Sequence, residues 1–228
     1  MNPEFLLCDT DALIQILITR QGVLLARLKS DFGVRAAATP EVEIEIRNHR
    51  KFGQAFAKGF QHFADSGTIT RFDSSEIKNL LGSRNYPSAQ ISPEVSRIQS
   101  IGNENYKTVD LGEAYVHAAA VVLHLPVLSN DFSAVQILAD PKVGVPTLEF
   151  FDLVVFGNGQ GWIGNDKGEE IVTELKAQKE YVPKSFMAHD EFSDCCRAFR
   201  SRLAYAPAGS SPAPPRTFSD TLTLVARV

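Results

Sequence analysis

Acid recurs where elements of this chain begin or end. Asp9 follows the apolar run Phe5 to Cys8 in "MNPEFLLCDTDALIQILI", Asp110 and Glu113 open "DLGEAYVHAAA", Asp131 follows "PVLSN", and Glu45 lies just beyond "AAATP". Carboxylates gathered in one place repel one another and raise each other's pKa values unless a divalent cation neutralises them. Ligation by oxygen alone, without a histidine or cysteine cluster, favours Mg²⁺ or Mn²⁺ over zinc. The chemistry such a set supports is metal-assisted hydrolysis of a phosphate ester.

Each acid also has a structural reading. Asp110 and Glu113 have the D-x-x-E spacing of a capping box. Asp131 and Asp11 can cap the helices that follow them. Glu43 and Glu45 can be solvated helix residues. Asp9 is the hardest to explain in this way, because an aspartate directly after a buried strand must be paired, desolvated or bound.

The elements expected around these acids form a regular alternation. Phe5 to Cys8 reads as a buried strand, followed by a helix from Asp11 with Leu13, Ile14, Leu17 and Ile18 at helical spacing, and a second helix in "VLLARLK". "VRAAAT" is a strand candidate. Thr39-Pro40 then looks like an N-cap and first helical position, opening a helix from Pro40 to about Ala64. That helix carries Phe52, Phe56, Phe60 and Phe63 as a packing stripe. "TITRF" reads as a strand, and "SSEIKNLLG" and "SPEVSRIQSIG" as short helices.

A helix from Leu111 to His124, a strand from Pro126 to Ser129, a helix from Phe132 to Leu138 and a strand from Val143 to Thr147 complete the pattern. Strands alternating with helices imply a parallel sheet covered on both faces, with ligands bound outside the carboxyl ends of the strands. Asp9, Asp110, Glu113, Asp131 and Glu45 can converge there.

Beyond Phe156 the glycine-rich "GNGQGWIGN" reads as a loop, since it lacks the strand and helix of a nucleotide-binding turn. "KGEEIVTELKAQKEY" and "DEFSDCCRAFRSRL" are helix candidates. "APAGSSPAPPR" is too poor in apolar side chains to fold alone, and "TLTLVARV" can add an edge strand. The expected division is a catalytic domain over 1–157, a helical extension over 158–205 and a flexible Pro/Ala/Ser-rich tail over 206–228.

Composition bounds the function classes. The chain has 228 residues, 44% hydrophobic and 22% charged, with a formal net charge of -4, which argues against a broad basic nucleic-acid coat. No apolar run approaches the roughly 20 residues of a membrane span. Glu4, Asp9 and Asp11 stand where a secretory signal would be free of charge, and the three cysteines, two of them adjacent, suit a reducing compartment. A cytoplasmic protein without membrane attachment is expected.

In this order, "FLLCDTDALI", "TPEVEIEI", "DLGEAYVHAAA" and "PVLSNDFSA" resemble the four signature blocks of the PIN-domain ribonucleases. The third block is similar to the branch that reads "GEAxAxxLA", found among the nuclease toxins of bacterial and archaeal toxin–antitoxin pairs. The resemblance spans residues 4–157 and continues in "GWI" and "YVPKSF". It implies an α/β/α sandwich with a mainly parallel central sheet and a metal-dependent endoribonuclease.

Position by position, the resemblance implies catalytic carboxylates at Asp9, Glu45, Glu113 and Asp131, with Asp9, Glu113, Asp131 and Asp110 as ligands for Mg²⁺ or Mn²⁺. Glu113 stands where many members have aspartate, and "SND" where they often have T-x-D. The reaction implied is hydrolysis by activated water, with no side-chain nucleophile. Thr10, Ser129 and Asn130 can position water or phosphate, or merely bond the local backbone. Arg47 and Arg50, in "RNHRK", can meet substrate phosphates or form a solvated face. His117 can touch substrate or pack locally. RNA as substrate, a small antitoxin protein and self-association are the expected partnerships.

Two other readings fit parts of the sequence. "CDTDAL" offers the D-x-D of a haloacid-dehalogenase-type phosphatase, with Asp9 as nucleophile and Asp11 as acid/base, but lacks the glycine and threonine that should follow. A catalytically inactive PIN-like module binding RNA or protein is the other.

Overall fold

The structure is a computed structural model and describes residues 4–131, 138 and 144–201. Its centre is a five-stranded, all-parallel sheet of strand order β3-β2-β1-β4-β5. The strands are β1 (Glu4–Cys8), β2 (Val34–Ala38), β3 (Ile69–Arg71), β4 (Val127–Leu128) and β5 (Thr147–Leu148). With its many helices this is a mixed α/β fold consistent with an α/β/α sandwich, as the alternation of elements led one to expect.

Between the strands run α1 (Thr10–Thr19), α2 (Gly22–Phe32), α3 (Pro40–Asn48), α4 (Gly53–Asp65), α5 (Ser74–Ser83), α6 (Ser88–Asn105) and α7 (Leu111–Leu123). After β5 come α8 (Phe150–Gly159), α9 (Asn165–Gln178), α10 (Ser185–Ala188) and α11 (Phe192–Ser201). The expected helix at 132–138, the start of the expected strand at 143 and the expected tail over 206–228 lie outside the described residues, apart from buried Leu138.

The order of the strands decides where a ligand can sit. From β1 the chain winds outward through β2 to β3, then returns across the sheet so that β4 pairs with the other side of β1. Such a reversal leaves a crevice at the carboxyl ends of the two central strands. Asp9 leaves β1 at that point and Ser129-Asn130-Asp131 leave β4 at the same level, because Cys8 is in register with Leu128.

Three expectations need correction. The single helix from Pro40 to Ala64 is two helices, because His49 leaves the helical region with ψ 126. Gly53 closes the corner: a Cβ there would overlap the Arg47 carbonyl. The phenylalanines nevertheless pack as foreseen, with Phe56 and Phe60 buried and Phe52 and Phe63 partly buried against the core. The first helix is capped by Asp9, whose side chain accepts from the Thr10 N–H, and Asp11 is a first-turn residue. The last expected strand, from Val143, is paired only at Thr147–Leu148 within the described residues. Pro146 has no N–H to give the ladder, although its carbonyl accepts from Val127.

The core is continuous from the sheet into the last helices, taking in Phe5, Leu7, Leu128, Phe151, Leu175, Phe186 and Phe199. Phe186 holds this end together, with ring centroids 4.6 Å from Phe151, 5.6 Å from Phe192 and 5.5 Å from Phe199. Removing such a ring leaves a cavity that its neighbours fill only in part. Phe186→Ala is therefore expected to destabilise the protein by about 3–5 kcal/mol, read as a lower urea midpoint at unchanged slope. A loss under about 1 kcal/mol would mean that residues 165–201 are not part of this core.

Candidate active site

Asp9 is the anchor of the site. It is 4% exposed, its Oδ1 accepts from the Thr10 N–H at 2.6 Å, and its Oδ2 accepts from the Ser129 hydroxyl at 2.9 Å. The Ser129 oxygen in turn accepts from the Asp131 N–H at 3.2 Å. One hydroxyl thus fixes the Asp9 carboxylate and the turn carrying Asp131. Ser129 is wholly buried and occupied with this task, and no part of it is left to meet a substrate.

Glu45 bridges two helix starts. The Thr10 hydroxyl donates to its Oε2, and the Gly112 N–H donates to its Oε1 at 2.8 Å. The carboxylate therefore rests on the first turns of α1 and α7, where unsatisfied N–H groups and the helix dipoles favour negative charge. Thr10 is committed to Glu45 much as Ser129 is to Asp9. Both hydroxyls are better described as positioning groups.

Gly112 is the residue that the sequence reading missed. A Cβ at this position would overlap the Glu45 carboxylate and stand 2.7 Å from Thr10 Oγ1. The signal was present as the glycine of "DLGE", although only the tertiary contact gives it meaning. Gly112→Ala is expected to cost about 1–3 kcal/mol through overpacking. In a Glu45→Ala background most of that loss should vanish, measured as a double-mutant cycle of denaturation midpoints. An additive cycle would contradict the bridge.

Glu113 occupies the third position of α7 and is 9% exposed. The capping-box alternative is not realised, since the Asp110 side chain makes no cap bond and the first turn of α7 is met by Glu45 instead. Asp110 is therefore left with its carboxylate free of that duty, beside the others. Burial pushes the Glu113 carboxyl up to about 7, helped by the charges of Asp9, Asp131, Asp110 and Asp11. Burial likewise pushes Asp9 up to about 7, against its bonds from Ser129 and Thr10, with Asp11 and Glu45 adding to the rise. These acids share one field.

His117, one turn along α7 from Glu113, is 6% exposed, and its Nε2 lies 3.8 Å from Glu113 Oε1 with no hydrogen-bond partner among the described residues. Burial pushes its pKa down to about 4, so the ring is neutral at physiological pH.

The remaining candidates fall elsewhere. Asn130 Oδ1 accepts from the Phe150 N–H at 3.0 Å and so steadies the start of α8. Arg47 is paired with Glu43, which also holds Arg71, on the face of α3 turned away from Glu45. Arg50 is exposed at the α3–α4 corner. Cys195 and Cys196 are buried, as packing residues would be. A cavity of about 450 Å³ lined by Leu17, Arg20, Phe52, Phe56 and Phe63 lies toward the far end of α1, a helix length from Asp9.

The donor set suits a divalent cation in type: buried carboxylates at Asp9 and Glu113 whose pKa values are raised by burial and by neighbouring acids, with Asp110 and Asp131 among the charges that act on Glu113. Among the described residues, no three His, Cys, Asp or Glu side chains stand close enough to hold an ion as arranged. A cation would thus have to draw the carboxylates together, as expected for charges that repel in its absence. Among the described residues, no helix is long and apolar enough to cross a membrane. No family model, curated protein or solved structure matches the chain.

Proposed function

We propose that the protein is a metal-dependent ribonuclease of the PIN type, hydrolysing RNA phosphodiester bonds at the carboxyl ends of β1 and β4. The observation that carries this reading is the gathering of Asp9, Asp110, Glu113 and Asp131 at the topological switch point of the sheet. A cluster of like charge is costly by itself and repels RNA phosphates, so its chemical sense lies in binding Mg²⁺ or Mn²⁺. When bound, the cation polarises the phosphate and lowers the pKa of water.

The chain's own residues do the rest. Asp9, Glu113, Asp131 and Asp110 are the proposed ligands. Thr10, Ser129, Glu45 and Gly112 hold α1, α3 and α7 in the register that aims them. Asp131, half-buried in the turn after β4, takes the proton of the attacking water at its carboxylate. The water oxygen bonds to phosphorus, the bond from phosphorus to the leaving ribose oxygen breaks, that oxygen takes a proton from solvent water, and Asp131 returns its proton to solvent. Arg50 supplies positive charge at the α3–α4 corner for flanking phosphates.

The resemblance extends this proposal to a toxin role, with self-association and a small antitoxin protein as partner. Growth arrest on expression, relieved by a neighbouring small gene product, would support it. Expression without effect on growth would remove it.

A second reading, an inactive PIN-like module that binds RNA, is favoured by the absence of a closed three-ligand set among the described residues. Purified protein incubated with a structured RNA pool and Mg²⁺, Mn²⁺ or EDTA separates the two. The nuclease reading expects metal-dependent cleavage that Glu113→Gln lowers about 100-fold or more. RNA bound but uncut by the wild type under every metal would favour the binding module.

A further inference from the structure

We propose that Nε2 of His117 is a nitrogen ligand to the cation of the acid site, making it a mixed oxygen–nitrogen site that favours Mn²⁺ over Mg²⁺. The inference rests on the proposed metal-dependent reading and specifies which ion that site takes.

Three observations carry it. First, Glu113 and His117 are four residues apart on α7, the spacing that places two side chains one above the other on a helix face and lets them chelate one ion. Second, the two already face each other, with Nε2 3.8 Å from Glu113 Oε1, a gap that two bonds of about 2.1 Å can span. Third, Nε2 is buried and has no hydrogen-bond partner among the described residues. A buried polar atom left unpaired needs an explanation. Among the described residues none supplies one: the acid facing it is Glu113, and the charge of Asp131 also acts on the ring. A cation held between the Glu113 carboxylate and the imidazole, with Asp131 drawn in toward it, satisfies all three.

The choice of metal follows from the ligand. Mg²⁺ is a hard ion that keeps to oxygen, whereas imidazole binds well to transition-metal ions, among which Mn²⁺ also accepts carboxylates. One nitrogen among several carboxylates leaves the site usable by both and biased toward Mn²⁺.

The test is electron paramagnetic resonance of Mn²⁺ bound to the full-length protein in a nitrogen-free buffer. Electron spin-echo modulation from ¹⁴N should be present in the wild type and should change when histidine is labelled with ¹⁵N, which needs no substitution and so no assumption about folding. His117→Gln should lose the modulation and about tenfold of the Mn²⁺ affinity, with Mg²⁺ affinity unchanged within about twofold.

Mn²⁺ bound and lost in Asp9→Asn, but with no nitrogen coupling, would overturn the inference and leave the acid site standing. Coupling that persists in His117→Gln would overturn it as well, by assigning another nitrogen. A wild type that binds no Mn²⁺ at millimolar concentration would overturn both this inference and the metal-dependent reading beneath it.

Discussion

Asp9→Asn is expected to abolish RNA cleavage and at the same time to stabilise the metal-free protein at pH 8. The two effects have one cause. Asp9 is buried, its carboxyl is raised to about 7, and above that pH it holds a charge that its surroundings disfavour. Asparagine keeps the shape and can still accept from the Thr10 N–H, while its amide meets the Ser129 oxygen.

Removing the charge should therefore raise the thermal midpoint by a few degrees, given roughly 2–4 °C per kcal/mol for a chain of this size. Cleavage should fall by about 10³-fold or more, since a lost carboxylate ligand removes several kcal/mol of charge stabilisation in the reaction. A residue kept for function against stability has this signature. If Asp9→Asn cleaves like the wild type, or unfolds at a lower temperature, Asp9 is a structural residue and the account of the site is wrong.

The second large effect is a dependence of stability on pH that a divalent cation reverses. Asp9 and Glu113 have folded-state pKa values raised from 3.8 and 4.5 to about 7. Between those limits the native state holds more protons than the unfolded one, so the contribution of these acids to stability is present at low pH and is lost as pH rises through 7. His117 works in the opposite sense below about 6.5, because its folded-state pKa is depressed to about 4 and acid favours the unfolded chain.

The useful window therefore lies between pH 6.5 and 8, where the opposing His117 contribution fades while Asp9 and Glu113 still lose protons in the native state. In EDTA the thermal midpoint should fall across that window. With Mn²⁺ or Mg²⁺ at about 100 times its dissociation constant, roughly 2.7 kcal/mol of stability is added at pH 8, and less at pH 6.5 because protons compete for the carboxylates. Differential scanning calorimetry at the two pH values, with and without metal, measures all four midpoints. A midpoint that rises with pH in EDTA, or metal that stabilises equally at both pH values, would contradict the shared field of these acids.

The parallel sheet was legible because each strand candidate was separated from the next by a helical period, and Asp9 was legible because a charge cannot follow a buried strand without a reason. What the sequence did not disclose was decided by contacts between distant residues. The break between α3 and α4 follows from Gly53 lying on the Arg47 carbonyl, and no proline or cluster of turn residues marks it. Glu45 sits in "VEIEI", where alternating acids give no hint of which one turns inward, and only Gly112 and Thr10 settle its direction. The D-x-x-E of Asp110 and Glu113 suits a cap and a ligand pair equally well in sequence, and the missing cap bond is visible only in the folded helix. Arg47 looked like part of a basic strip, but helical geometry pairs it with Glu43, four residues before it.

The central claim is that these carboxylates serve a metal-activated water in cutting RNA, and the chemistry of the product ends tests it most directly. Wild-type protein should cleave RNA with Mn²⁺ or Mg²⁺, stop on chelation, and leave linear phosphate ends, because water and not the ribose 2′-hydroxyl attacks phosphorus. Cleavage that continues in EDTA, or that yields 2′,3′-cyclic phosphates, would contradict it.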